Sequence, residues 1–250
     1  MPHSLPQTVS GLAVFIVGLA VMAACTQAEQ TPTATTGPIV TSPVSLSPSM
    51  DNTLYQDEVG SVSSGEGFHM IVGMTNNVSA RRGVIAFDIA ANISARSTIE
   101  SVTLTINMNR INVKAGPHVV DLPTLTADWG EGASNALFQP GQGTPAAPSD
   151  ATWLHRFFDT EIWDTLGGDF SAMVSGSTDV DGNGSYTWDS APQMVSDVQS
   201  WLNDPTGNFG WLLIGDETDA STAKRFDTRE ALLEENRPVL VIEFTPSIVS

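Results

Sequence analysis

The stretch Ile99-Glu100-Ser101-Val102-Thr103-Leu104-Thr105-Ile106-Asn107-Met108-Asn109 decides the fold. Val102, Leu104, Ile106 and Met108 fall on one side of an extended chain, with Ser101, Thr103, Thr105 and Asn107 on the other. Successive side chains of a strand point to opposite faces. A period of two therefore predicts a half-buried strand of an antiparallel sheet, one face on a core and one in water.

The same period recurs on both sides of this stretch. Residues 83–89 place Ile85, Phe87 and Ile89 together, and residues 237–244 place Leu240, Ile242 and Phe244 together. Residues 209–214 are apolar on both faces and predict a central strand. Further strands are predicted at 69–75, 118–125, 152–158, 170–175, 185–188 and 224–229. Asn183-Gly184 predicts a hairpin turn. One helix is predicted after Ser190 and Gln193, which have the spacing of a capping box, with Pro192 in its first turn. Val195, Val198 and Leu202, with Met194 and Trp201, form its apolar stripe, and Asn203-Asp204-Pro205 ends it. The expected fold is an all-β, jelly-roll-like antiparallel β-sandwich with one short amphipathic helix. Residues 129–150 read as a long Gly-, Pro- and Ala-rich loop, of the kind that is functional or disordered.

Before the sandwich the chain changes character. Residues 11–24 are apolar, long enough for a secretory segment and too short to span a bilayer. They end at Met22-Ala23-Ala24-Cys25, which resembles a bacterial lipobox. That resemblance implies a signal peptide over residues 1–24 and a lipid on Cys25, anchoring an exported protein to the cell envelope, outer membrane or cell surface. Met stands where Leu is usual, and no Lys or Arg precedes the apolar run. Residues 26–50 are Thr-, Ser- and Pro-rich with Glu29 as the single charge. They read as a flexible tether with an r.m.s. span of roughly 25–30 Å. The expected organisation is thus residues 1–24, 25–50, a sandwich at 51–245 and a tail at 246–250.

Composition excludes several functions. The 250 residues carry a formal charge of −18 with only ten Lys and Arg, which excludes binding nucleic acid by phosphate neutralisation. One cysteine cannot form an internal disulfide or a Cys-rich zinc site. The acidity is uneven, at −3 over residues 1–125 and −15 over residues 126–250. No P-loop, nucleophile elbow or His-x-x-x-His spacing is present, so no catalytic residue is assigned.

Several motifs in order resemble the bacterial DNRLRE-type domain, related to a carbohydrate-binding group of jelly-roll sandwiches. They are Asp51-Asn52-Thr53-Leu54-Tyr55, Gly67-Phe68-His69-Met70-Ile71-Val72-Gly73 and Arg81-Arg82-Gly83-Val84-Ile85-Ala86-Phe87-Asp88. Ile99-Glu100-Ser101-Val102 and Asp128-Trp129-Gly130-Glu131-Gly132 follow. Asp197-Val198-Gln199-Ser200-Trp201-Leu202, Asn208-Phe209-Gly210-Trp211 and Arg237-Pro238-Val239-Leu240 complete the set. The resemblance implies an extracytoplasmic sandwich, some relatives of which bind acidic polysaccharide.

Candidate ligand-binding residues follow from residue type. Trp129 and Trp163 sit in or beside loops, where an exposed indole could carry a sugar ring, and Glu131 lies beside Trp129. Trp201 and Trp211 read as core, and Trp188 is undecided. On a strand, Arg225, Asp227 and Arg229 share one face, where two guanidinium forks could hold a carboxylate or sulfate. A salt-bridge ladder explains the same pattern. Asp179, Asp181 and Asn183 resemble the start of a calcium loop, but Ser190 stands where the bidentate Glu belongs, which favours a turn. The expected function is a noncatalytic binding module for polysaccharide, with calcium as a possible cofactor. A structural or adhesive protein binding another protein, and a polysaccharide-degrading enzyme, are the alternatives.

Overall fold

The computed structural model describes residues 41–111 and 116–247. Cys25, the apolar run before it and the tether up to residue 40 lie outside the described residues. No helix among the described residues is long and apolar enough to cross a membrane.

The strands run β1 (Ser42–Leu46), β2 (Met50–Tyr55), β3 (Val62–Ser63), β4 (His69–Met74), β5 (Ala80–Ala86), β6 (Thr98–Ile111), β7 (His118–Leu125) and β8 (Thr144–Pro145). They continue as β9 (His155–Phe157), β10 (Glu161–Ile162), β11 (Phe170–Val180), β12 (Gly184–Trp188), β13 (Trp211–Leu213), β14 (Lys224–Asp227) and β15 (Val239–Thr245). Helix α1 (Pro192–Asn203) lies between β12 and β13. Eleven strands form one antiparallel sheet that curls into a half-barrel. The fold is all-β.

The long strand β6 organises one leaf. Its edges carry β12 on one side, and β15 followed end to end by β14 on the other. Val102, Leu104, Ile106 and Met108 are buried, as their alternation predicts. The curl happens at β4. Its first half pairs with β14 up to Val72, and from Gly73 it pairs with β5 in the second leaf. Gly73 has φ +109°, which L side chains rarely adopt, and an added Cβ would lie 3.1 Å from Thr222 O. The second leaf is β2-β5-β13-β7-β11.

Both leaves share one core. Leu104, Ile106 and Met108 of the first meet Ile85, Val120, Leu122, Trp211 and Leu213 of the second. Helix α1 closes this core with Met194, Val198, Trp201 and Leu202. Trp201 meets Trp211 edge to face, with ring centroids 4.6 Å apart. The other face of the second leaf is also covered. Val84 and Leu212 point there, against Trp129, Trp153 and Trp163. This second cover explains why residues 209–214 are apolar on both faces.

Three expectations are corrected. The sandwich begins before residue 51, because β1 pairs with β15 from Ser42↔Phe244 to Leu46↔Leu240. Val44 and Leu46 alternate with Pro43 and Ser45, and Pro43 is tolerated because β1 is an edge strand. Asn183-Gly184 makes no paired hairpin, since β11 pairs with β7 and β12 with β6. The turn is a corner between leaves. The capping box does not form either. The N-cap is Ala191 with no side-chain bond, Ser190 Oγ accepts from Val102 N, and Gln193 donates to Asp197. Of the two readings open for residues 129–150, the stretch is ordered, and β8 within it pairs with β3.

Trp211 is fully buried between the helix and the leaves, and its indole N–H donates to Ser175 Oγ at 3.1 Å. Trp211→Ala is expected to cost about 3–5 kcal/mol. Urea unfolding followed by circular dichroism measures this directly.

Candidate functional site

The two loop tryptophans are not sugar platforms. Trp129 and Trp163 are 3% and 2% exposed. Each donates its indole N–H to a carbonyl, Phe209 O and Thr152 O respectively, both at 2.9 Å. They cover the outer face of β13. Trp188 is fully buried, and Trp201 and Trp211 are core as expected.

Arg225, Asp227 and Arg229 do not form one grip. Strand β14 ends at Asp227, and the chain turns before Arg229. Arg225 Nε donates to Asn109 Oδ1 at 2.6 Å. Asp227 is buried and accepts from Asn107 Nδ2 at 2.6 Å and from Asn109 Nδ2, with His69 Nδ1 at 3.2 Å. Arg229 belongs to a different cluster.

That cluster joins three distant segments. Arg229 donates from Nε to Glu131 Oε1 at 2.8 Å and from its terminal Nη2 to Glu131 Oε2 at 2.6 Å. Nε also lies 2.8 Å from Glu230 Oε1. The Arg229 amide donates to Asp51 Oδ2 at 2.8 Å, and the Asp51 amide donates to Glu131 Oε1 at 2.9 Å. Strand β2, the root of the 129–150 loop and the turn after β14 are thus tied together. Two oxygens, Asp51 Oδ1 and Glu230 Oε2, are buried and take no hydrogen bond. Burial, and then Glu230 nearby, holds the Asp51 carboxyl well above its ordinary range. Burial pushes Glu230 up to about 7, against the lowering influence of Arg229 and helped by Glu131. Next to Glu131, Gly132 has φ +70°, and a Cβ there would lie 1.7 Å from Asp150 Oδ1.

Asp179, Asp181 and Asn183 are exposed, Asp179 near the end of β11 opposite Val119 and the other two on the corner after it. Tyr186 organises that corner, donating to Gly182 O at 2.5 Å and accepting from Asp181 N at 3.1 Å.

A groove opens at the far end of β6 and β14. Its volume is about 550 Å³, and its lining includes Arg110, Lys224, Arg225, Phe138, Gln139 and Gln142. Arg110 stands directly opposite Arg225. The next pair is Phe226 with Met108, so β6 bulges at Asn109. Strict alternation would send Arg110 to the face of Met108. The bulge instead brings it beside Arg225 on the polar face. Neither arginine forms an ion pair with a carboxylate among the described residues. Burial and the neighbouring Arg110 charge lower the Arg225 guanidinium from its ordinary value. Lys224 is also lowered by burial, and its Nζ donates to Gly116 O at 3.1 Å.

The opposite rim is the tip of the 129–150 loop. Phe138 is 95% exposed there. The loop beneath it is fastened: Tyr55 Oη donates to Pro140 O at 2.6 Å, and Arg81 Nε donates to Gly141 O at 3.1 Å. Arg81 also stacks 4.9 Å from the Tyr55 ring centroid. Burial pushes Tyr55 up to about 12, which keeps its hydroxyl a donor. Sequence reading missed both Phe138 and Arg110. For Phe138 the available signal was a lone aromatic beside Gln139-Pro140-Gly141 in a loop already marked as unusual.

Comparison with protein-family models gives no match, and no curated protein matches the chain.

The raised carboxyls make stability pH-dependent with a definite sign. An acid whose folded value is raised contributes stability that is full below its unfolded value and is lost as pH rises through the folded value. For Glu230 that window runs from 4.5 to about 7. In buffer containing a chelator, the melting temperature is expected to fall across this window. Glu230→Gln, which keeps a neutral group there, should flatten the fall. Thermal melts of both proteins across the window provide the check.

Proposed function

We propose that this protein is a noncatalytic binding module for an acidic polysaccharide, carried on the cell envelope by a lipid at Cys25. The observation that carries the reading is the Arg110–Arg225 pair in a groove whose lining, among the described residues, holds no Asp or Glu. In a chain with 28 acids and ten Lys and Arg, Arg110 and Arg225 meet here without a direct ion pair to a carboxylate among the described residues. Two guanidinium groups facing one another repel, and a bound anion removes that repulsion. A uronate carboxylate or a sulfate matches their fork geometry.

Phe138 supplies the second element of sugar recognition, an aromatic face on a loop fastened at Pro140 and Gly141. A fixed platform loses little conformational freedom on binding. Among the described residues the lining offers no carboxylate or imidazole for proton transfer, which supports binding rather than hydrolysis. The lipobox-like segment, the Thr- and Pro-rich tether and the ordered motifs resembling the DNRLRE-type domain support the extracytoplasmic setting. The overall charge of −18 opposes approach of a polyanion at long range. Recognition is therefore local, through contact with the two arginines.

Affinity electrophoresis and calorimetry against polyuronate, sulfated and neutral polysaccharides test this. Binding is expected for at least one acidic polymer and for no neutral one. Arg110→Ala and Arg225→Gln should each weaken it about tenfold or more. Phe138→Ala should weaken it about three- to tenfold. Equal retention on neutral polymers, or affinity unchanged in both arginine variants, would contradict the proposal.

A further inference from the structure

We infer that Asp51, Glu131 and Glu230 form a binding site for one calcium ion, distinct from the groove. Each of the three residues places a carboxylate oxygen within 4.8 Å of those of the other two. Oxygens bound to one calcium lie about 2.3–2.6 Å from it, so two of them can stand up to about 5 Å apart. One ion can therefore span the set.

Proximity of acids alone would not make a site, since acidic groups gather at many surfaces. Here the Asp51 side chain is fully buried, and its Oδ1 has no partner. Glu230 Oε2 is likewise buried without a partner. A buried carboxylate oxygen normally takes a hydrogen bond or a metal. Arg229 uses its amide on Asp51 Oδ2 and its guanidinium on Glu131 and Glu230 Oε1, so it leaves these two oxygens uncovered.

Charge leads to the same conclusion. A bound cation requires all three carboxylates ionised, and against one guanidinium these leave two negative charges, which one divalent cation neutralises. The donors are all oxygen, which selects a hard cation over zinc or copper. The ligands come from three segments far apart in sequence: strand β2, the root of the 129–150 loop and the turn after β14. Rigid backbone holds them, because the Asp51 and Arg229 amides fix the carboxylates. Glu131 and Glu230 keep some contact with solvent, with side chains 13% and 19% exposed. Water can thus enter to complete the six to eight ligands calcium requires. The sequence signal of a calcium loop at Asp179, Asp181 and Asn183 pointed to a different place.

Calorimetric titration of the chelated full chain with calcium chloride near neutral pH tests the site, together with thermal melts. One ion per chain and a melting temperature raised by several degrees are expected. Glu230→Gln and Asp51→Asn should each weaken calcium binding at least about tenfold. Circular dichroism establishes that both variants remain folded. Asp181→Asn, at the corner after β11, should leave the affinity unchanged. Two results would overturn the site. One is the absence of heat and of a melting shift up to about 10 mM calcium, which would mean that a proton alone occupies the cluster. The other is binding that survives Glu230→Gln and Asp51→Asn but is lost in Asp181→Asn. Polysaccharide binding is read by different residues, so either result leaves the groove proposal standing or falling by itself.

Discussion

Arg229, half-buried against Glu131, Glu230 and Asp51, is the constraint on which the rest of the molecule leans. Its partners come from strand β2 in one leaf, the turn after β14 in the other and the start of the 129–150 loop between them. Desolvated charges are costly unless their geometry is close to ideal and their hydrogen bonds are satisfied. Arg229 meets that condition for Glu131 through two parallel bonds, while Asp51 Oδ1 and Glu230 Oε2 are left over. The cluster is thus both a fastening and an unfinished coordination shell. Substituting Arg229 alone would strand three carboxylates in one place.

From that fastening the long loop runs outward and does two jobs. Near its root, Trp129 joins Trp153 and Trp163 over β13, giving the second leaf a cover on its outer face. At its tip, Tyr55 and Arg81 hold Pro140 and Gly141, and Phe138 stands out at the groove rim. Apolar burial fixes the near part and hydrogen bonds from the sheet fix the tip. The groove is accordingly built from the ends of two paired strands and a loop whose two ends are both secured.

Local periodicity made much of the fold legible. The alternation in residues 99–109 marks β6 and its buried face, and the two-faced apolar run at 209–214 marks a central strand. The helix stripe through Val198 and Leu202 marks α1. What was not legible depended on partners far along the chain. Ser190 suits a cap, yet the hydroxyl serves Val102 N in β6. Asn183-Gly184 turns the chain, but nothing local says that β11 and β12 pair with different strands. Trp129 and Trp163 lie in loops, which makes them the platform candidates among the tryptophans even though burial is the safer expectation for any one of them, and the extra face they cover belongs to β13. Arg110 was hidden by the bulge at Asn109, which reverses the side on which the side chain emerges. Glu131 and Arg229 were both singled out as ligand residues, and they meet each other instead.

The acidity now has a structural sense. Most of it lies in residues 126–250, while the groove at the end of β6 and β14 includes Arg110 and Arg225 and, among the described residues, no acid. Charge is thus sorted over the domain, with one buried cluster of carboxylates at the junction of its segments. The most direct test of that junction is a double-mutant cycle between Glu131→Gln and Arg229→Gln, read by urea unfolding. A coupling energy of about 1–2 kcal/mol is predicted, as for a bidentate pair that is only partly screened by solvent. Additivity within about 0.5 kcal/mol would show that the pair behaves as an ordinary surface contact, and would contradict its role in holding the segments together.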